Sequence, residues 1–132
     1  MTLPYPSADA VLGDICFDFL RTLVGKTIIL DSDADLNALY DQIDGSKQCA
    51  DPVTRASFDF TGQQIVGSVL TVQACDVLVS HESTALDDAS RQRQITLRVE
   101  LVGDCEYELL YPVWFSIERP PATYTTLVQF IK

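Results

Sequence analysis

Gln94-Ile95-Thr96-Leu97-Arg98-Val99-Glu100-Leu101-Val102 alternates without interruption: Ile95, Leu97, Val99 and Leu101 fall on one face, Thr96, Arg98 and Glu100 on the other. Successive side chains of an extended chain point to opposite faces, so this run reads as an antiparallel strand with one side on a core and the other in water. Working outward, Gly103-Asp104 turns the chain and Tyr107 to Ile117 forms the next strand. Pro112 within it implies a bulge or a sheet edge, because proline has no N–H to give a ladder. Pro120-Pro121 marks a rigid turn, and the last strand runs from Tyr124 to Ile131, with Tyr124, Thr126, Val128 and Phe130 alternating against Thr125, Leu127 and Gln129. Upstream, Glu82 to Arg93 is polar, with Asp87-Asp88 and Arg91/Arg93, and reads as a surface hairpin loop. Before it come the β-like Cys75 to Ser80, a longer strand Gln64 to Val72 interrupted by Gly67, and the alternating Ser57-Phe58-Asp59-Phe60.

The period changes nearer the start. Leu36, Leu39, Tyr40 and Ile43 recur at i, i+3, i+4 and i+7, a single apolar stripe on a helix from about Asp33 to Asp44. Ser32 can cap it, Asp35 stands where a capping box needs an acid, and Gly45 is placed to close it in a left-handed conformation. Lys26 to Leu30 is a short β-branched run. Ile15 to Leu23 reads as a strand or short amphipathic element, and residues 1–13, with Pro4 and Pro6, as an irregular N-terminal arm. One helix against seven or eight strands gives the expected fold class: mainly β, an antiparallel β-sandwich or barrel-like sheet with one α-helix early in the chain. A length of 132 residues fits a single domain spanning 1–132.

The formal net charge of −10, from 19 acidic and 9 basic residues, repels a phosphate backbone and an anionic membrane surface. No nucleic-acid partner is expected. No apolar run approaches the roughly 20 residues of a membrane span, and Met1-Thr2-Leu3-Pro4-Tyr5-Pro6 is not a signal peptide. The chain is therefore read either as cytosolic or as a mature segment whose leader is absent.

Four cysteines bear on that choice. Cys16, Cys49, Cys75 and Cys105 are 33, 26 and 30 residues apart, spacings that match no zinc or redox motif. Cys49 and Cys105 lie among loop and charged residues, which suits disulfides better than buried thiols. Four cysteines allow three connectivities. The favoured one joins Cys75 to Cys105, since one follows a long strand and the other opens a strand after a tight turn, and Cys16 to Cys49, beside the helix. Disulfides imply an oxidising, extracytoplasmic setting.

The remaining chemistry is sparse. His81, in Ser80-His81-Glu82-Ser83, is read as an exposed loop histidine, because neighbours on a strand cannot converge into a triad and no nucleophile elbow is present. Asp31, Asp33 and Asp35 have the rhythm of a calcium loop, but Leu36 stands where its glycine belongs, and helix capping accounts for them. The six glycines are isolated, so there is no phosphate loop. Trp114, between Val113 and Phe115, is read as core. Thus no catalytic residue, metal or cofactor is assigned, and a non-enzymatic chain is expected.

From Ile28 to Lys132 the order of motifs resembles a group of small bacterial extracytoplasmic, lipoprotein-like domains of unassigned activity. The residues carrying it are Asp35-Leu36-Asn37-Ala38-Leu39-Tyr40, the cysteine loop after that helix, Phe58-Asp59-Phe60 leading to Gln64-Ile65-Val66-Gly67, Cys75, Gly103-Asp104-Cys105, the Trp114 strand and a last strand opened by proline. That group is distantly similar to the β-sandwiches of protease-associated domains and chagasin-type protease inhibitors. Of the three inhibitory loops, only Arg119-Pro120 echoes one, with Pro121 in place of its tryptophan. The resemblance implies an extracytoplasmic (periplasmic or cell-surface) binding or interaction module of unknown ligand, with a protein partner and an upstream lipid anchor both compatible. The competing reading is a cytosolic acidic adaptor or chaperone of the secretion type, which would keep its thiols reduced. An inhibitor-like domain is a further alternative.

Overall fold

The computed structural model describes residues 3–132. Its strands are β1 (Ile28–Leu30), β2 (Gln63–Gln73), β3 (Asp76–Asp87), β4 (Gln92–Val102), β5 (Glu108–Glu118) and β6 (Thr125–Ile131). Two sheets result, ordered β1-β2-β5 and β3-β4-β6. All neighbours are antiparallel except β4 and β6, which run parallel because the chain visits the other sheet through β5 between them. The mainly β, sandwich-like architecture follows the expectation, and the sheets do not close into a barrel.

Helices number more than the one expected. Besides α3 (Asp33–Ser46) there are single turns α1 (Asp9–Leu12) and α2 (Phe17–Leu20), the latter running into a 3-10 turn at Arg21–Leu23. Ile15, Phe19, Leu20 and Leu23 are buried while Phe17 is half exposed, a helical spacing that a strand cannot produce. Of the two readings of this segment, strand or short amphipathic element, the strand is excluded and the segment is helical. The irregular arm is also corrected, although residues 1 and 2 lie outside the described residues. Ser116 donates its N–H to Pro6 O (2.9 Å) and Ala8 N–H reaches Trp114 O (3.0 Å), so the segment pairs with the outer edge of β5. Such an edge would otherwise be an open template. Pro112 sits on that edge strand, as its chemistry requires.

The β1-β2-β5 sheet is covered on both faces. Ile65, Val69 and Trp114 point to a layer made of α1, α2 and α3, where Leu12, Leu36, Tyr40 and Ile43 are buried. Val66, Val113, Phe115 and Ile117 point the other way, against Val77, Val79, Ile95, Leu97 and Val99 of the second sheet. Trp114 and Phe115 thus serve separate cores, both fully buried. Tyr40 ties the helical layer together, donating to Val11 O (2.6 Å) and accepting from Ala56 N (3.2 Å).

Three element boundaries differ from the sequence reading. α3 runs through Gly45 to Ser46, and Lys47 takes the left-handed position (φ 60°); Ser46 Oγ donates to Ile43 O (2.6 Å), satisfying a terminal carbonyl. Ser57–Phe60 joins no sheet. Its Phe58 and Phe60 rings meet edge to face, and Asp59 Oδ1 accepts Thr61 N–H (3.0 Å), turning the chain. Finally, β3 and β4 continue through most of the stretch expected to be loop, leaving only residues 88–91 as the turn.

Both favoured disulfides are present. Cys16–Cys49 (Cα–Cα 5.7 Å) binds the start of α2 to the loop after α3. Cys75–Cys105 (4.8 Å) closes the start of β3 against the turn after β4. Gly103, at φ 80°, lies against the Cys75 sulfur where no Cβ would fit.

Candidate functional site

Extension of β3 and β4 beyond the expected loop boundary creates the site. Arg93 has the same parity as Ile95, Leu97 and Val99, so it projects inward between the sheets. It is 5% exposed. Nη1 donates to Glu118 O of β5 (2.6 Å), and Nη2 donates to Gln64 Oε1 of β2 (2.7 Å) and Thr126 Oγ1 of β6 (3.2 Å). One guanidinium therefore staples four strands of both sheets. None of these acceptors is a carboxylate, and Nε is buried without a partner. Burial pushes the Arg93 pKa down, opposed by Tyr5, Glu118 and Asp31; a guanidinium nevertheless keeps its charge.

Arg93 lines a cavity of about 290 Å³ at this end of the sandwich, with Tyr5, Leu86, Ile117 and Pro121 among its walls. Leu86 pairs with Arg93 in register and is 51% exposed, so it forms an apolar lip. A register shift between His81 and Ser83 sets the inner-face positions here: His81 lies opposite Leu97 and Thr84 opposite Ile95. The two side chains meet at 2.7 Å (His81 Nε2 to Thr84 Oγ1), and Tyr5 OH lies 2.5 Å from Thr84 Oγ1 while its ring stacks on Phe115. His81 is thus a half-buried strand residue, not an exposed loop histidine. Its hydrogen-bond partners among the described residues are hydroxyls, whereas Glu82 pairs with Arg98 (2.9 Å to both carboxylate oxygens).

The other residues singled out from sequence have separate partners. Asp35 Oδ2 accepts Asp31 N–H (2.9 Å), Asp35 N–H reaches Ser32 Oγ (3.2 Å) and Asp31 Oδ1 accepts from Gln64 Nε2 (2.7 Å). Among the described residues no three His, Cys, Asp or Glu side chains gather as a metal site would require. Arg119, the echo of an inhibitory loop, donates to Asp31 O (2.5 Å) and Phe60 O (2.8 Å), joining the entry of α3 to the β2 turn. Another hollow, of about 390 Å³, lies beside Cys16–Cys49. Its Asp14 already accepts Thr54 N–H (2.9 Å), and the Thr54 side chain together with that N–H holds the carboxyl below its ordinary range. No helix among the described residues is long and apolar enough to cross a membrane.

Sequence reasoning placed Arg93 in solvent. The signal was present: the strict alternation from Ile95, carried back one step, puts Arg93 on the core face. No family model, curated protein or solved structure matches the chain.

Proposed function

We propose that this protein is a non-enzymatic, extracytoplasmic binding module whose ligand enters the cavity between the sheet ends. The observation that carries the compartment is the pair of disulfides, which uses all four cysteines and suits an oxidising environment. The order of motifs shared with small extracytoplasmic domains points the same way. Bonded cysteines weigh against the cytosolic adaptor, which needs its thiols reduced. The binding role is supported by the cavity's make-up: apolar walls with one buried, incompletely matched cation, the usual composition of a ligand pocket. The inhibitor-like alternative gains nothing from Arg119, whose side chain is committed to backbone carbonyls.

The test is non-reducing peptide mapping of the protein isolated from cells that make it naturally. Cys16–Cys49 and Cys75–Cys105 peptides in an envelope or secreted fraction are expected. Four alkylatable thiols in a cytosolic fraction would overturn the extracytoplasmic reading.

A further inference from the structure

We infer that the Arg93 cavity binds a carboxylate carrying a compact apolar group. This rests on the binding-module reading above and names the ligand class. A buried guanidinium costs free energy unless its charge is countered. Here the three contacts are to a carbonyl, an amide oxygen and a hydroxyl, all neutral. A guanidinium has five N–H donors; three are matched, and the buried Nε–H is among those left over. The Glu118 and Asp31 carboxylates act on the charge from a distance, but no direct contact supplies an anionic oxygen. Arg is the side chain best suited to supply charge-assisted hydrogen bonds to one.

The walls restrict what that anion carries. Leu86, Ile117, Pro120 and Pro121 offer apolar surface, while Tyr5 and Thr84 place hydroxyls on the same cavity. The volume of about 290 Å³ accommodates a small group, not a polymer chain. Glu118 also borders the cavity, and the whole chain carries −10. A multiply charged anion such as phosphate would meet that repulsion in full. Arg119 also borders the cavity, but its side chain is held by Asp31 O and Phe60 O, so a single carboxylate on an aliphatic stem matches the buried Arg93 and the apolar walls. A free aliphatic acid and the C-terminal carboxylate of a peptide share this chemistry.

The disulfide-intact, full-length chain labelled with 15N is titrated with hexanoate, N-acetyl-leucine, hexan-1-ol and inorganic phosphate at matched ionic strength. The reporters are the Arg93 Nε–H signal and the Leu86 and Ile117 amides. At least one carboxylate is expected to shift them saturably, hexanoate marking a free acid and N-acetyl-leucine a peptide end. Hexan-1-ol should bind roughly tenfold or more weakly, for lack of a charge-assisted bond, and phosphate should leave the signals in place. Arg93→Gln should abolish discrimination between hexanoate and hexan-1-ol. Because Arg93 also joins the sheets, Leu86→Glu at the exposed lip provides an independent variant: loss of the apolar wall should weaken both ligands, and the added negative charge should weaken the carboxylate several-fold more than hexan-1-ol. Equal affinity for acid and alcohol would overturn the carboxylate assignment while leaving an apolar-ligand module standing. Phosphate binding as tightly as the carboxylates, or no saturable shift with either carboxylate, would overturn it as well.

Discussion

At position 67 the strand carries no side chain because the indole of Trp114 occupies that space. Gly67 and Trp114 are directly opposite in the β2–β5 ladder, and a Cβ on Gly67 would collide with the indole and with Val113 O. Glycine normally weakens a strand, and here it admits the largest buried side chain of the helical core. Gly67→Ala is expected to cost about 1–3 kcal/mol, the usual range for overpacking. Urea denaturation measures it, and the emission of the single Trp114, expected to be blue-shifted and quencher-shielded from its full burial, should move toward the red as the ring is displaced. A variant with wild-type stability and emission would contradict this packing. At the same scale, Trp114 was legible in the sequence as core, because it alternates within an apolar strand. The role of Gly67 was not, since register pairs residues far apart in the chain.

Among the elements, α3 was the most legible. Its stripe of Leu36, Leu39, Tyr40 and Ile43 is buried as the spacing requires, and Ser32 caps it. Leu39, 7% exposed, lies in the core shared with Trp114 and Val69. Leu39→Ala should therefore destabilise the protein by about 2–5 kcal/mol, read as a lowered denaturation midpoint with unchanged slope. Undiminished stability would mean that the stripe does not pack there. Shorter elements were less legible. Ile15 to Leu23 is apolar enough for either structure, and burial of the adjacent Phe19 and Leu20 with Phe17 half exposed decides for helix. The ends of β3 and β4 were missed because polar residues such as Gln92, Arg93 and Gln94 look like loop, although ladder pairing extends strands past the apolar core.

Over the whole molecule, the two disulfides divide the work between layers. Cys16–Cys49 closes the helical layer, whereas Cys75–Cys105 fixes the far end of the β3–β4 sheet. Their sequence separations are 33 and 30 residues, so the chain-entropy model gives about 3–4 kcal/mol each. Replacing both members of one bridge by alanine should lower stability by that amount. The two losses should add, because the bridges share no partners. Denaturant titration of the two double variants and the quadruple variant checks this. Near-zero cost for either pair would show that its bridge constrains nothing.

Local chemistry was enough to determine the class of fold. Period-two alternation in 94–102, period-3.6 spacing in 36–43 and a proline in an edge strand each act over a few residues, so the sequence carries them directly. The even count and setting of the cysteines favoured the observed pairing. The tertiary structure decided what depends on distant segments meeting: the pairing of the N-terminal segment with β5, the parallel union of β4 and β6, and the two-faced β1-β2-β5 sheet. It also decided the site. Arg93 is a polar residue beside a turn until Gln64, Glu118 and Thr126 close around it, and only that convergence removes it from water. The alternation from Ile95 marks the face on which Arg93 falls, but its desolvation depends on neighbours brought from elsewhere in the chain.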